Sequence, residues 1–322
     1  MSKLLEVQDL VVNFALRNSD LTALNGISFS LEQGERLGLV GESGAGKSVA
    51  GFSIINLISK PGYIASGRVL FEGSELNRLS QEEMRAIRGN KISMVFQDPM
   101  MTLNPVLTIG TQMMETLMVH RDLSQNKARE IAVEKLRQVQ IPSPEKRLEQ
   151  YPHEFSGGMR QRIIIAISML NNPKLIIADE PSTALDVTIQ AEIMDLFIDL
   201  CKQEHMGLIL ITHDLAVVSE TTEKIAVMYA GKIVEKGNTL DVVTNPQHPY
   251  TKGLIQALPQ EGVYAGSRLS QIPGTMPTLT SIPPGCSFHP RCDRRLEVCR
   301  KKPPLYYRGE NPEGEVACHL FA

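Results

Sequence analysis

The chain of 322 residues has no tryptophan, and no apolar run approaches the ~18 residues that a membrane-spanning helix requires. Its first six residues lack the pattern of a signal peptide. The formal net charge is −3, which is too balanced to indicate a surface for nucleic acid. We therefore expect a chain that stays in the cytosol, does not span a membrane by itself and does not bind nucleic acid.

Cysteine is scarce until the end of the chain. Cys201, on a segment with helical spacing, stands apart, and we expect it to be a buried apolar side chain. The last 37 residues contain the other four, which are Cys286, Cys292, Cys299 and Cys318. Because disulfides are disfavoured in the cytosol, four thiols there suggest a metal, either zinc or an iron–sulfur cluster.

The spacing of these four cysteines bears on the choice of metal. The gaps of five, six and eighteen residues are wider than those of the cysteine pairs in structural zinc sites, which weakens the zinc alternative. His289 and His319 are possible substitute ligands, although surface histidines are the more common interpretation. Unligated thiols remain a third alternative.

A glycine-rich loop is the most informative feature that the sequence does contain. Residues 36–40 are short and apolar, residues 41–48 fit the pattern G-x-x-x-x-G-K-[ST], and residues 49–55 indicate the start of a helix. Glycines let successive backbone N–H groups converge on phosphate oxygens, and the helix N-terminus adds a partial positive charge. Lys47 can reach the β- and γ-phosphates of a nucleotide, and Ser48 can ligate Mg²⁺.

Two further motifs extend this interpretation. An apolar run from residue 175 ends in Asp179 and Glu180, which places two acids at the carboxyl end of a predicted strand. Asp179 is suited to hold Mg²⁺ through water, and Glu180 is suited to orient or deprotonate an attacking water. Residues 156–158, Ser-Gly-Gly, open a predicted helix and form a second anion site. Because one nucleotide needs only one phosphate loop, the second site indicates a nucleotide bound by a partner chain.

Taken in order, these motifs resemble the ATP-binding subunit of an ATP-binding-cassette transporter. Phe14 stands where an aromatic ring stacks on adenine, Gln97 where the Q-loop glutamine stands, and His213 where the switch histidine stands. The signature at 155–159 reads Phe-Ser-Gly-Gly-Met, which departs from the usual Leu-Ser-Gly-Gly-Gln at its two ends. The D-loop corresponds to Ala184-Leu185-Asp186.

The resemblance implies an α/β fold with a RecA-like P-loop NTPase core, an antiparallel β-subdomain, an inserted α-helical subdomain and a small irregular C-terminal extension. The expected ranges are 1–97 and 156–235 for the core, 98–155 for the helical subdomain and 236–322 for the extension. The expected nucleotide-binding residues are Phe14, Gly41, Glu42, Ser43, Gly44, Ala45, Gly46, Lys47, Ser48, Val49 and Gln97. Glu180 and His213 are the expected catalytic residues, and Ser48, Gln97 and Asp179 are expected to bind Mg²⁺. The residues expected to contact the partner's ATP are Ser156, Gly157, Gly158 and Met159, and Asp186 is the expected D-loop residue.

Four segments narrow the resemblance to dipeptide and oligopeptide importers, namely residues 96–105, 151–154, 185–190 and 248–251. The resemblance implies hydrolysis of ATP with Mg²⁺ to drive peptide import, with nickel-complex or glutathione import as the alternative. It implies a paralogous ATP-binding subunit, two membrane permease subunits, a substrate-binding protein and a position at the cytoplasmic face of the inner membrane. It also implies a four-iron four-sulfur cluster on the four C-terminal cysteines. A soluble cassette acting on DNA or ribosomes, or a module without hydrolysis, fits the sequence less well.

Overall fold

The computed structural model describes residues 3–17, 19–97, 102–181, 186–258, 271–311 and 314–322. The chain divides into two compact units. The first comprises Met1–Asn77 and Leu210–Ala322, and the second comprises Arg78–Ile209.

An antiparallel sheet forms the N-terminal part of the first unit. Its strands are β1 (Lys3–Ala15), β2 (Asp20–Glu32), β4 (Gly62–Phe71) and β5 (Ser74–Glu75), in the order β2-β1-β4-β5. Alternate side chains of β1 are buried on either side of a bulge, first Leu5 and Val7 and then Leu10 and Val12, as expected for a sheet with one face on the core. Glu72 and Gly73 join β4 to β5 with positive φ angles of 49° and 79°, the backbone that a two-residue hairpin turn needs.

The first unit also contains a mixed sheet. Its strands include β3 (Arg36–Val40), β9 (Lys224–Tyr229), β10 (Lys232–Asn238), β11 (Tyr307–Arg308) and β12 (Glu315–Val316). Strands β3 and β9 are parallel, and β9, β10, β12 and β11 follow one another as antiparallel neighbours. Residues 236–322, which we expect to form the C-terminal extension, contribute the two short strands β11 and β12 at the edge of this sheet. The helices of this unit are α1 (Lys47–Ile54), α8 (Leu215–Thr221), α9 (Thr239–Thr244) and α10 (Pro249–Gln256).

The second unit is predominantly helical. It contains the parallel strands β6 (Ile92–Val95) and β7 (Leu175–Asp179), and strand β8 (Gly207–Thr212) includes the boundary between the units. Every residue of β7 and β8 is buried, which is typical of strands covered on both faces. The α-helices that lie within the described residues of this unit include α2 (Gln81–Ile87), α3 (Ile109–His120), α4 (Gln125–Gln138), α5 (Pro144–Arg147), α6 (Gly157–Ser168) and α7 (Val187–Gln203).

Local sequence signals explain where these helices begin. Ser80 and Glu83 form a capping box at α2, and the side chains of Thr108 and Ser124 accept backbone N–H groups at the starts of α3 and α4. Met113 and Leu117 of α3 are fully buried, so the face of the helix that carries them packs in the core. Within the described ranges, no helix is both long enough and apolar enough to cross a bilayer.

Candidate nucleotide-binding site

The predicted phosphate loop connects the end of β3 to the start of α1. Gly44 and Gly46 have φ angles of 82° and 102°, a region that glycine enters without strain. A Cβ atom on Gly46 would lie 2.9 Å from the Leu24 side chain and 3.1 Å from the Ala23 carbonyl oxygen. Glycine is thus required here both by conformation and by space, and the turn aims the N-terminus of α1 into the concave side of the loop.

Lys47 lies inside the loop, where its side chain is only 5% exposed. Its Nζ donates hydrogen bonds to the carbonyl oxygens of Gly41 at 2.8 Å and Glu42 at 3.2 Å. These contacts hold the ammonium group against the first two carbonyl oxygens of the loop. A positive charge beside a helix N-terminus and glycine N–H groups is the donor set that a triphosphate requires, so the loop fits ATP.

In the second unit, the structure brings the predicted glutamine and glutamate together. Gln97 Nε2 donates a hydrogen bond to Glu180 Oε2 at 3.0 Å. Glu180 has a φ angle of 46°, a left-handed conformation that is rare for a residue with a side chain and that clusters at functional sites. Asp179 precedes it at the end of β7 and is buried, at 3% exposure. Glu180 is only half-buried, so the two acids of the predicted motif occupy different environments although they are adjacent in sequence.

The predicted signature residues form the N-terminus of α6. Ser156 is the N-cap, and its Oγ accepts a hydrogen bond from the Met159 N–H at 3.4 Å. A Cβ on Gly158 would lie 2.9 Å from the Ile189 side chain, so this glycine allows α6 and α7 to approach closely. Asp186 caps α7 by accepting the Ile189 N–H at 3.0 Å. Ser156 of the signature and Asp186 of the D-loop are thus both N-cap residues of helices.

Two predicted residues belong to the first unit but lie outside the loop. His213 follows β8 and is exposed, and the neighbouring Asp214 caps α8 by accepting the Ala216 N–H at 2.9 Å. Phe14 lies half-buried in β1, opposite Gly62 of β4. Other residues of the predicted motifs lie outside the described residues, namely Asp98, Pro99, Met100, Met101, Ala184 and Leu185.

The cysteine prediction requires a correction. Among the residues that the structure describes, which include Cys286, Cys292, Cys299 and Cys318, no group of three or more His, Cys, Asp or Glu side chains could hold a metal ion. Burial raises the pKa of the Cys286 thiol to about 11, and it raises the pKa values of Cys292 and Cys318 as well. Since no such group exists among these residues, the four-iron four-sulfur prediction is wrong, and the same finding gives no support to the zinc alternative.

A glycine loop around a buried lysine, followed by a helix, defines a P-loop nucleotide-binding protein. The family model described as "ABC transporter" matches residues 24–183, and the one described as "Oligopeptide/dipeptide transporter, C-terminal region" matches residues 234–299. The chain is 50% identical to the dipeptide transport ATP-binding protein DppD of Bacillus subtilis (strain 168), over 94% of this chain and 91% of the relative. It is 48% identical to the oligopeptide transport ATP-binding protein OppD of Escherichia coli (strain K12), over 94% and 89%. The chain therefore belongs to the ABC transporter family, among its dipeptide and oligopeptide ATP-binding proteins.

Solved structures support the fold assignment. The ATP-binding cassette MJ0796, in a dimeric post-hydrolysis state bound to ADP and Pi, matches with a TM-score of 0.66 and 26% identity, over 73% of this chain and 98% of that chain. A cassette named cbiO1, from Clostridium perfringens, matches with a TM-score of 0.65 and 26% identity, over 76% and 92%. The predicted family and the predicted RecA-like P-loop fold class are confirmed.

Sequence reasoning missed two residues that contact the phosphate loop. Arg291 pairs with the carboxylate of Glu42, and the hydroxyl of Tyr250 accepts the Glu42 N–H. The first contact joins residues 249 positions apart and the second joins residues 208 positions apart. No local pattern could have revealed either contact, since both depend on how the extension folds back.

Proposed function

We propose that this chain is the ATP-hydrolysing, nucleotide-binding subunit that energises import of dipeptides or oligopeptides through a membrane ABC transporter. The sequence-based prediction of this role is confirmed by the relatives, because proteins named for dipeptide and oligopeptide transport are 46–50% identical over almost the whole chain. They do not favour the alternative of nickel-complex or glutathione import. Cleavage of the β–γ phosphoanhydride supplies the free energy.

The structural observation that carries the nucleotide-binding part of this proposal is the position of Lys47 within the phosphate loop. The loop presents an ammonium group, glycine N–H groups and a helix N-terminus on one concave surface, and all three attract phosphate oxygens. ATP and Mg²⁺ are the ligands expected of such a domain. We assign Mg²⁺ binding to the Ser48 hydroxyl, the Gln97 side chain and the Asp179 carboxylate, which are oxygen donors of the kind that Mg²⁺ prefers.

Glu180 and His213 are the proposed catalytic residues. Glu180 would orient the attacking water and accept its proton, and the hydrogen bond from Gln97 would keep the carboxylate in one orientation. His213 would contact the γ-phosphate and report its loss. Phe14 would stack on adenine. Residues 43–49 would bind the phosphates through their backbone N–H groups, whereas Glu42 would contribute to the loop with its N–H already donated to the Tyr250 hydroxyl.

The signature residues Ser156–Met159 would serve the nucleotide of a second cassette. The Ser156-capped N-terminus of α6 carries the partial positive charge that a γ-phosphate attracts. We propose that the second cassette is a paralogous ATP-binding subunit, and that Asp186 acts at the interface between the two. Loss of the γ-phosphate then loosens this interface.

Permease subunits and a substrate-binding protein are the partners implied by a role in peptide import. We propose two permeases, with the chain held by them at the cytoplasmic face of the inner membrane. Residues 98–155 are the proposed helical subdomain that would transmit movement to the permeases. Residues 1–97 and 156–235 are the proposed core.

The test is peptide-dependent growth. Cells that lack this gene should fail to grow when a dipeptide or an oligopeptide is the only source of a required amino acid. The wild-type gene should restore growth, and Glu180→Gln should not. Growth that is unaffected by the deletion, together with lost uptake of nickel or glutathione, would replace the peptide assignment.

A further inference from the structure

The C-terminal extension reaches the phosphate loop through the side chain of Arg291. Its Nη1 and Nη2 donate hydrogen bonds to the two carboxylate oxygens of Glu42 at 2.7 and 3.0 Å. The Arg291 side chain is only 7% exposed, whereas that of Glu42 is 28% exposed. A paired fork of this kind fixes both the position and the orientation of a carboxylate, and it raises the pKa of Arg291 further above its ordinary value.

Arg291 is itself held in place by other parts of the extension and the sheet. Its Nε donates to the Pro273 carbonyl oxygen at 2.9 Å. Its guanidinium lies 5.8 Å from the ring centroid of Tyr229 and 6.0 Å from that of Phe288. Because the donor fork is already immobilised, little side-chain entropy is lost in keeping Glu42 paired.

A second contact holds the backbone of the same loop residue. The Glu42 N–H donates to the Tyr250 hydroxyl at 2.9 Å. Tyr250 is fully buried, and its own N–H donates to Nδ1 of the buried His248 at 3.0 Å. The Tyr250 ring also packs edge-on against Tyr229, with 4.7 Å between centroids. The first residue of the loop after Gly41 is thus fixed through both its main chain and its side chain.

The charge of Glu42 determines whether its pairing with Arg291 strengthens or weakens nucleotide binding. The loop binds a polyanion, and Glu42 places a carboxylate within that loop. Left unpaired, this carboxylate would repel the phosphates, and the repulsion would weaken binding. The guanidinium of Arg291 neutralises the carboxylate and holds it on the side that faces the extension.

We propose that Arg291 and Tyr250 are positioning residues of the nucleotide site, through which the C-terminal extension neutralises Glu42 and sets the backbone of the phosphate loop for a triphosphate. The inference rests on the proposed function, because it takes ATP as the ligand of the loop. It gives the extension a direct part in nucleotide affinity.

The test measures the equilibrium Kd of the purified full-length chain for Mg-ATP, and for Mg-tripolyphosphate as a probe without adenine. Arg291→Gln should weaken both by about tenfold, the usual effect of losing a charge-assisted contact. Adding Glu42→Gln to Arg291→Gln should restore both Kd values to within about threefold of wild type, because the unpaired charge is gone. A purely structural role for Arg291 would not be rescued in this way. Tyr250→Phe should weaken binding by about threefold, since only a neutral hydrogen bond is lost.

Matched controls come from the same unit. Lys236 pairs with Glu315 at 3.1 Å and lies 5.5 Å from the Tyr306 ring centroid, so Lys236→Gln removes a similar ion pair and ring contact away from the loop. The Tyr306 hydroxyl donates to the Ile233 carbonyl oxygen at 2.7 Å, which makes Tyr306→Phe the counterpart of Tyr250→Phe. Both controls should bind ATP like the wild type.

Three results would overturn the inference: wild-type affinity in Arg291→Gln, equal loss in Lys236→Gln, or no rescue by Glu42→Gln. Failure of the proposed function gives a different result, namely a wild-type chain that does not bind Mg-ATP. If the wild type binds and Arg291→Gln binds equally well, only the inference fails. Thermal midpoints measured on each variant show that folded protein is being compared.

Discussion

The phosphate loop and the cysteine segment both have the appearance of motifs, yet only one of them forms the site that it predicts. The loop comprises eight consecutive residues, 41–48, whose glycines adopt the required backbone and whose lysine folds back onto the loop's own carbonyl oxygens. The cysteines are spread from Cys286 to Cys318, with short 3₁₀ turns, two short strands and irregular chain between them. A contiguous motif between a strand and a helix specifies its own geometry, whereas a set of ligand-type residues specifies only composition. The four predictions that follow test this contrast.

The largest effect is expected at Glu180. Glu180→Gln should reduce ATP turnover of the assembled transporter by about a hundredfold or more, because a general base is lost. Nucleotide affinity should be retained, since a glutamine oxygen can still accept the Gln97 hydrogen bond. Glu192→Gln is the control, because it removes only a surface ion pair with Arg162 on the neighbouring helix. Turnover near the wild-type rate in Glu180→Gln would remove this residue from its role.

The next effect concerns the charge inside the loop. Lys47→Met should weaken the Kd for Mg-ATP by roughly ten- to a hundredfold, because the ammonium contact to phosphate is lost. Lys135 of α4 is also a buried lysine, with 7% exposure, and burial lowers its pKa. Lys135→Met should leave ATP affinity unchanged, because Lys135 belongs to none of the nucleotide-binding motifs. Equal losses in the two variants, measured by titration, would mean that Lys47 has no special position.

A smaller effect tests whether the loop backbone truly requires glycine. Gly46→Ala should reduce the free energy of unfolding by roughly 2 kcal/mol, since the new Cβ would meet the Ala23 carbonyl and φ is 102°. Gly73 has a φ of 79° but open space around it, so Gly73→Ala should cost only about 1 kcal/mol. Urea unfolding measures both. If the two changes cost the same, the space around Gly46 is not limiting.

The sequence was most informative where one short segment determines its own structure. It predicted the apolar strand that begins at residue 175, the helix that begins after Ser156, and the strand–loop–helix unit around Lys47, because periodicity and capping are local. It did not reveal the pairing of Arg291 with Glu42, which depends on the return of the extension across 249 residues. The metal prediction failed for a different reason: Cys286, Cys292, Cys299 and Cys318 do line one pocket, yet no three ligand-type side chains among the described residues are arranged to hold a metal ion.

The smallest effect is expected within the cysteine segment. Cys292→Ala removes one of the four sulfurs that were expected to be ligands. Cys201→Ala is the control, because it removes the sulfur of a buried cysteine of α7 that is 2% exposed and was not expected to be a ligand. Each should cost about 1 kcal/mol of unfolding free energy, the cost of a small lost contact, and neither should change ATP affinity by more than about twofold. Metal analysis of anaerobically purified wild-type protein should find well below one iron or zinc per chain. One equivalent or more that disappears in Cys292→Ala but not in Cys201→Ala would make the segment a true motif and end the contrast with the loop.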